Sequence, residues 1–359
     1  MLTAVLGVGV VALAALSYWR TQAADPGLTT EVAMLATFGM GVLANQDAML
    51  AAGLGVLIAL LLAARTRLHA FARAALTDRE LYDAILLAGA ALIVLPLLPD
   101  RPLDPLGAIN PRLVWRLTVI VMLVNAAGYA AMRLLGPRWG LPLAGLCGGF
   151  VSSVATIAAM GRRSREDAGQ LHGALAGAAL SSVGTVLQLA MVIGATSGVI
   201  LGRMVLPLAA MGVVAVATGW VMSRRHSASA NNAAAPAGRA FDPRQALLFA
   251  AILAAMLAAV SALERLFGAR GVVGGAVAGG FLDTHSAAAS VSALAMRGVI
   301  STDAAIIAIA VAISANAVTK LWVAAAGGGA RYFRYLAPGL AAMIAALWAG
   351  IALGRAAGL

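Results

Sequence analysis

The chain has 359 residues, of which 62% are hydrophobic and only 11% are charged, and it contains 40 glycines. Its mean hydropathy of +0.93 leaves too little polar surface to enclose a water-soluble core, so the composition predicts an all-α, polytopic membrane protein embedded in a lipid bilayer. The formal charge of +11 comes from arginines near the ends of apolar segments, which favours lipid headgroups over nucleic acid as their partner.

The sequence carries no recognisable catalytic motif. The single cysteine, Cys147, excludes a disulfide or a thiolate metal site within one chain. There is also no nucleophile elbow, no phosphate-binding loop and no zinc-spaced pair of histidines. We therefore expect neither an enzyme nor a cofactor, and the sequence does not indicate which metal, if any, would bind.

Residues 1–109 are predicted to form an amino-terminal group of transmembrane helices. The first apolar segment, Leu2 to Trp19, lacks a basic n-region and a cleavage site, which favours a retained helix over a secretory signal. The segment Arg65 to Leu76 places apolar residues at helical spacing among basic ones. That pattern predicts a short amphipathic helix lying on the membrane surface.

From residue 110 onward, the sequence repeats itself at an offset of 131 or 132 residues. Four pairs of short motifs keep this register: Asn110-Pro111-Arg112 with Asp242-Pro243-Arg244, Arg133 to Arg138 with Arg265 to Arg270, Gly148-Gly149-Phe150 with Gly279-Gly280-Phe281, and Leu206-Pro207 with Ala337-Pro338. A fixed spacing of this kind indicates a duplicated structural unit. We assign residues 110–223 to unit one, 224–241 to a linker and 242–359 to unit two. Each unit has four apolar segments, so the whole chain is predicted to be a bundle of about 10 to 12 transmembrane helices.

The sequence leaves the relative direction of the two units open. If every segment crosses the membrane, the units are parallel repeats. If the glycine-led second segment of each unit is re-entrant, they are inverted repeats. Glycine-interrupted segments at matching positions of two halves are typical of a transport site.

Polar residues cluster in the matching second and third segments of both units. Unit one carries hydroxyl groups, whereas unit two carries charged and amide groups at corresponding places. The candidate ion-binding or solute-binding residues are Ser152, Ser153, Thr156, Ser181 and Thr185 in unit one, and Asp283, His285, Asn316 and Lys320 in unit two.

Two interpretations of these residues remain open. In the first, Asp283 and Lys320 neutralise each other in a buried pair and the small residues allow close helix packing. In the second, the polar residues line a cavity that binds an ion or a small polar solute. Charged side chains near mid-membrane cost about 2.5 to 3.5 kcal/mol on insertion scales, so a functional reason for them is expected.

The stretch Gly148 to Thr156, the following Arg162 to Arg165, and the later Asp283-Thr284-His285 and Asn316 to Lys320 resemble the membrane domain of unknown function 4010, often found in bacterial MgtC/SapB family proteins. The resemblance runs from about Thr29 to the end of the chain. It implies a membrane domain and, loosely, a link to magnesium homeostasis. The acidic, arginine-rich amino-terminal helix typical of MgtC-like proteins is not visible in this sequence.

Together these features predict a multi-pass transporter or channel-like protein of the bacterial inner membrane, with a solute site between the two units. Asp283 would bind or neutralise a cation, and Lys320 would be its counter-charge or an anion contact. The alternatives are a non-transporting regulatory or scaffolding protein that acts through helix contacts and, less favoured, a lipid-active membrane enzyme. Assembly into a homo-oligomer is compatible with each of them.

Overall fold

The computed structural model describes residues 2–21, 29–75, 77–135, 140–224 and 243–357. Within these ranges the chain is helical and contains no strand, which confirms the predicted all-α fold class. Among the described residues, seven helices are long and apolar enough to span a membrane, and four shorter apolar helices accompany them. The chain forms two compact units, Met1–Asp78 and Arg79–Leu359.

The smaller unit contains three helices, α1 (Leu2–Thr21), α2 (Thr29–Ala44) and α3 (Ala48–Ala75). The Ser17 hydroxyl donates to Glu31 Oε1 at 3.3 Å and joins α1 to α2. Residues 65–75 continue α3, whereas the sequence predicted a separate amphipathic helix there. The side chains of that segment lie outside the described part of the chain, so its place at the membrane surface stays a prediction.

The larger unit begins with α4 (Asp78–Gly89), which passes through a π-helical turn (Ala90–Val94) into α5 (Leu95–Leu97). The remaining helices are α6 (Pro111–Leu135), α7 (Gly140–Glu166), α8 (Leu171–Thr196), α9 (Gly198–Arg224), α10 (Pro243–Phe267), α11 (Ala269–Leu282), α12 (Thr284–Met296) and α13 (Thr302–Ala356). Apart from Arg224, the predicted linker lies outside the described residues, and the predicted unit boundaries stay a prediction.

The helix breaks of the two halves fall at matching positions. In α7, Ser152 leaves the helical region with φ −166° and ψ 111°. Its counterpart Asp283 separates α11 from α12 with φ −158° and ψ 113°. In the same way, Gly198 begins α9 after a one-residue break, and its counterpart Gly329 interrupts α13 at φ 75°. Gly329 divides α13 into residues 302–328 and 330–356. Glycine suits this position, because other residues rarely adopt a positive φ.

Matching helices of the two halves run in opposite directions. Arg265, near the end of α10, donates to the Leu106 carbonyl just before α6 begins, at 2.9 Å. Helix α10 therefore ends where its counterpart α6 starts. Arg203 near the start of α9, directly after α8, bonds to Asp303 at the start of α13 at 2.7 Å, so α13 starts where its counterpart α8 ends. The topology is inverted, which resolves the alternative that the sequence left open.

Helix α7 is a hairpin rather than a crossing helix. The carbonyl of Leu141 in its first arm and the Met160 side chain in its second arm both lie next to Gly177 of α8. Near the bend, the position of a Cβ on Gly148 lies 2.8 Å from Thr156 Oγ1. Residues eight apart are about 12 Å apart along a straight helix, so the two arms fold back on each other. We call Gly140–Glu166 hairpin 1.

Helices α11 and α12 form the matching hairpin of the second half, here called hairpin 2. The position of a Cβ on Gly279 lies 3.0 Å from the Ala287 Cβ, again eight residues on. Arg297, directly after α12, reaches Gly107, beside the residue that Arg265 contacts at the end of α10. Both ends of hairpin 2 therefore lie at one end of the bundle, and the tips of the two hairpins approach from opposite ends.

Candidate functional site

The tips of the two hairpins line one cavity of about 380 Å³. Helices α6, α8, α10 and α13 form the rest of its wall. The polar residues that line the cavity are Asn125, Ser152, Ser153, Gln188, Gln245, Asp283, Thr284, His285, Asn316 and Thr319. The cavity therefore contains polar and ionisable groups between membrane-spanning helices, where their burial is costly and indicates a functional site.

At each tip, the residue in extended conformation caps the second arm of its hairpin. Ser152 Oγ accepts from the Ala155 backbone N–H at 3.2 Å. The Asp283 carboxylate accepts from the Ser286 N–H at 2.7 Å and contacts His285 Nδ1 at 3.0 Å. Serine and aspartate are both strong N-cap residues, which explains why both tips can share this backbone geometry.

The last carbonyls of each first arm are satisfied by side chains from the helix beside it. Gln188 of α8 donates to the Phe150 carbonyl at 2.7 Å, and at the matching position Thr319 of α13 donates to the Phe281 carbonyl at 3.4 Å. Asn316 Nδ2 adds a bond of 3.3 Å to the Gly280 carbonyl. These donors replace backbone partners that a broken helix lacks at membrane depth.

The Gly-Gly-Phe motif is explained by the close approach of each hairpin to its neighbouring helix. A Cβ on Gly149 would overlap the backbone at Ser181, and a Cβ on the matching Gly280 would overlap the backbone at Ala312. Only glycine fits at such a contact between helices. The glycines that marked the repeat in the sequence therefore hold both tips in place.

Lys320 lies behind the cavity in α13 and is 2% exposed. Its Nζ lies 3.2 Å from Thr185 Oγ1 and 3.5 Å from Ser182 Oγ. Thr185 in turn donates to Ser153 Oγ at 2.9 Å, which connects the ammonium to the tip of hairpin 1. A small cavity of about 10 Å³ beside Lys320 is also lined by Asn316.

The structure does not pair Asp283 with Lys320. Among the described residues, no carboxylate forms an ion pair with Lys320, and Asp283 is bound by His285 instead. The direct buried pair of the first sequence interpretation is therefore wrong, whereas the close helix packing at small residues that it also included is present at Gly149 and Gly280. Asp283 is turned toward the N-terminus of its own helix α12, whereas Lys320 faces the hydroxyl groups of α8.

Apart from Lys320 and Thr185, the predicted site residues divide into two groups. Ser152, Ser153, Asp283, His285 and Asn316 line the cavity. Thr156 and Ser181 do not: each hydroxyl donates to a backbone carbonyl of its own chain segment, that of Ser152 and that of Ala178 respectively.

Five polar lining residues were not among the candidate site residues from the sequence: Asn125, Gln188, Gln245, Thr284 and Thr319. The repeat offset could have indicated two of them, because Gln188 and Thr319 are 131 residues apart and therefore occupy matching positions. In the structure they bind matching carbonyls.

Three polar atoms at the tip of hairpin 2 have no hydrogen-bond partner in the described structure: Thr284 Oγ1, His285 Nε2 and Ser286 Oγ. Thr284 and His285 line the cavity, whereas Ser286 does not. The described residues include no group of three His, Cys, Asp or Glu side chains that could hold a metal ion. The cavity thus offers one carboxylate, one imidazole and several neutral donors.

These features define a multi-pass helical membrane protein built on inverted repeats, with two helical hairpins that meet in a polar cavity. The family model of the Domain of unknown function (DUF4010) matches residues 119–328, more than half of the chain, and the chain belongs to this family. The matched range includes both hairpins and Lys320. The further resemblance to MgtC/SapB proteins stays a prediction, and comparison with curated proteins and with solved structures gives no match.

Proposed function

We propose that this protein transports an ion or a small polar solute across the cytoplasmic membrane of a bacterium, through the cavity between the two hairpin tips. One observation carries the proposal: Ser152 and Asp283, at the tips of hairpins that enter from opposite ends of the bundle, line the same cavity of about 380 Å³. Interrupted helices in inverted repeats are a recurring way to build a transport site, because the breaks free polar backbone groups to bind a solute.

The polar residues have distinct parts in this proposal. Ser152, Ser153 and Asn316 supply neutral ligands to the solute, and Asp283 and His285 supply ionisable groups. Thr185 links Lys320 to the site. In this proposal the residues bind and pass a solute and carry out no reaction.

Two-sided access to the cavity is the direct test. Cys147 is the only cysteine in the chain, so a Cys147→Ala background allows one reporter cysteine at Val154, an apolar residue of the cavity wall. In proteoliposomes of known orientation, a membrane-impermeant thiol reagent should modify Val154→Cys from both sides, each side in a fraction of molecules. The protein with its native Cys147, which is 3% exposed, should stay unmodified.

Flux measurements complete the test. Tracer uptake into the same proteoliposomes would be followed for sodium, potassium, magnesium, phosphate, acetate and glycine, and the inclusion of magnesium also tests the link to magnesium homeostasis. Flux of at least one solute, abolished by Gly280→Val, supports transport. Modification of Val154→Cys from one side only, together with no flux of any solute, would instead favour the regulatory or scaffolding alternative.

A further inference from the structure

The two hairpin tips differ in charge although they share one backbone geometry. At hairpin 2, the N-terminus of α12 is neutralised by its own carboxylate, since Asp283 accepts from the Ser286 N–H at 2.7 Å. At hairpin 1, the cap is the uncharged Ser152 hydroxyl, which accepts from the Ala155 N–H at 3.2 Å. The N-terminal end of a helix carries a partial positive charge. That charge is compensated by a carboxylate at hairpin 2 but not at hairpin 1.

Lys320 adds a full positive charge behind the same uncompensated tip. Its Nζ bonds to Thr185 at 3.2 Å, and Thr185 bonds to Ser153 at 2.9 Å, so the ammonium is two hydrogen bonds from a residue of the cavity wall. Among the described residues it has no carboxylate partner. The positive helix end and the Lys320 ammonium therefore both attract a negative charge in the cavity. Their attraction is strong because charge is weakly screened in these surroundings.

Hairpin 2 supplies an independent observation that indicates a ligand. Thr284 is 1% exposed, lines the cavity, and its hydroxyl has no partner. A buried hydroxyl without a partner is costly, and a bound acceptor would remove that cost. The Asp283 carboxylate beside it already accepts from its own helix and from His285.

We infer that the solute of this cavity carries a negative charge, as a small carboxylate or an inorganic oxyanion. Its anionic group binds at the tip of hairpin 1 beside Ser152 and Ser153, accepts a hydrogen bond from Thr284, and is balanced by Lys320. The inference rests on the proposed function only in taking this cavity as the solute site. A divalent cation is disfavoured because the cavity offers a single carboxylate, whereas such ions prefer several oxygen ligands.

Binding is tested with the purified full-length protein in detergent, at constant ionic strength set with choline chloride. The anionic probes are acetate, succinate and inorganic phosphate; the cationic probes are sodium, potassium and magnesium as chlorides. Glycine is added as a carboxylate that also carries an ammonium group. The apparent melting temperature is followed against probe concentration, and calorimetric titration gives the dissociation constant.

The expected result is a saturable stabilisation by at least one anionic probe or by glycine, with the affinity lowered at least tenfold in Lys320→Met. Leu189→Met is the matched control, because Leu189 holds the corresponding position of unit one and is fully buried; its affinity should equal that of the wild type. If glycine binds more tightly than acetate and Asp283→Asn removes that preference, the solute is a zwitterion that uses the same anionic contact.

The inference is overturned if only the cations stabilise the protein, if no anionic probe and no glycine binds, or if Lys320→Met binds as the wild type does. Should Lys320→Met fail to fold, Thr185→Val replaces it, because this change removes the link between Lys320 and Ser153. Anion binding without flux would remove the transport proposal and leave this inference standing. Flux of a cation without binding of any anionic probe would overturn this inference and leave the transport proposal standing.

Discussion

Ser152 and Asp283 are 131 residues apart, yet they adopt nearly the same extended backbone conformation, cap the second arms of two hairpins, and face one cavity. One of them is neutral and the other is a carboxylate. Both hairpin tips therefore need an extended, capping residue at this position, whereas only hairpin 2 carries a charge there. Substitutions can separate the two contributions.

Asp283→Ser should preserve the fold of hairpin 2, because Ser152 already caps hairpin 1 in the same geometry. Asp283→Ala should lower the free energy of unfolding by about 0.5 to 2 kcal/mol, the usual cost of losing an N-cap. The measurement is the apparent melting temperature of each variant in detergent. Equal losses in the two variants would show that the carboxylate charge, and not the cap, stabilises the tip.

Gly280→Ala should destabilise the protein by about 1 to 3 kcal/mol, as expected for overpacking, since its Cβ would overlap the backbone at Ala312. Gly274→Ala in the same helix α11 is the matched control, because a Cβ there meets nothing within 4 Å. Alanine has a higher helix propensity than glycine, so the control should be neutral or stabilising by up to about 1 kcal/mol. Thermal unfolding and monodispersity on size exclusion are the readouts. A control that loses as much stability as Gly280→Ala would contradict the close-contact explanation.

Lys320→Met should raise the stability of the protein without solute by about 1 to 3 kcal/mol, because it removes a buried charge that has no carboxylate partner. Thr185 retains its bond to Ser153 at 2.9 Å in this variant. The apparent melting temperature in choline chloride tests the change against Leu189→Met. A clear loss of stability would mean that the two hydroxyl contacts of Lys320 outweigh the cost of burying its charge.

Gln188→Leu should cost more stability than Thr319→Val, although both remove the donor to a matching phenylalanine carbonyl. The bond from Gln188 is 2.7 Å long and that from Thr319 is 3.4 Å long. Loss of a hydrogen bond to a buried carbonyl costs about 1 to 3 kcal/mol, and the bond of Gln188, which is shorter and more buried than that of Thr319, should cost more. Melting temperatures of the two variants and of the double variant give the order. The reverse order would indicate that hairpin 1 finds a substitute donor.

Asp104, in the loop before α6, should make stability depend on acid pH. Burial by itself would raise the pKa of this carboxyl. The backbone N–H groups of Ile109 at 2.6 Å and Leu106 at 3.0 Å bind its charged form and lower the pKa below its ordinary value. A lowered folded-state pKa gives stability that is complete above the unfolded pKa and is lost as the pH falls through the folded value. Melting temperature should therefore fall from about pH 5 downward, less steeply in Asp104→Asn. If melting temperature fell with pH at the same slope in the wild type and in Asp104→Asn, this role of Asp104 would be contradicted.

The sequence predicted the helical membrane fold and, through the Gly-Gly-Phe pairs, the two matching segments that form the cavity. It left open whether these segments fold back or cross, because a hairpin and a crossing helix are equally apolar. It also could not place Lys320 correctly, because its position among the hydroxyl groups of Ser182 and Thr185 depends on how α13 packs against α8. Thr284 was missed for a different reason, since a single threonine in an apolar helix is ordinarily a packing residue.

The opposite directions of the two halves have a consequence for motion. Since the two halves are built from the same elements in opposite orientation, the conformation of each half is a template for a second conformation of the other. In this structure Leu282 at the tip of hairpin 2 is 74% exposed, whereas its counterpart Val151 on hairpin 1 is half-buried. In the proposed transport function, exchanging these two conformations would give a second state in which hairpin 1 carries the exposed tip.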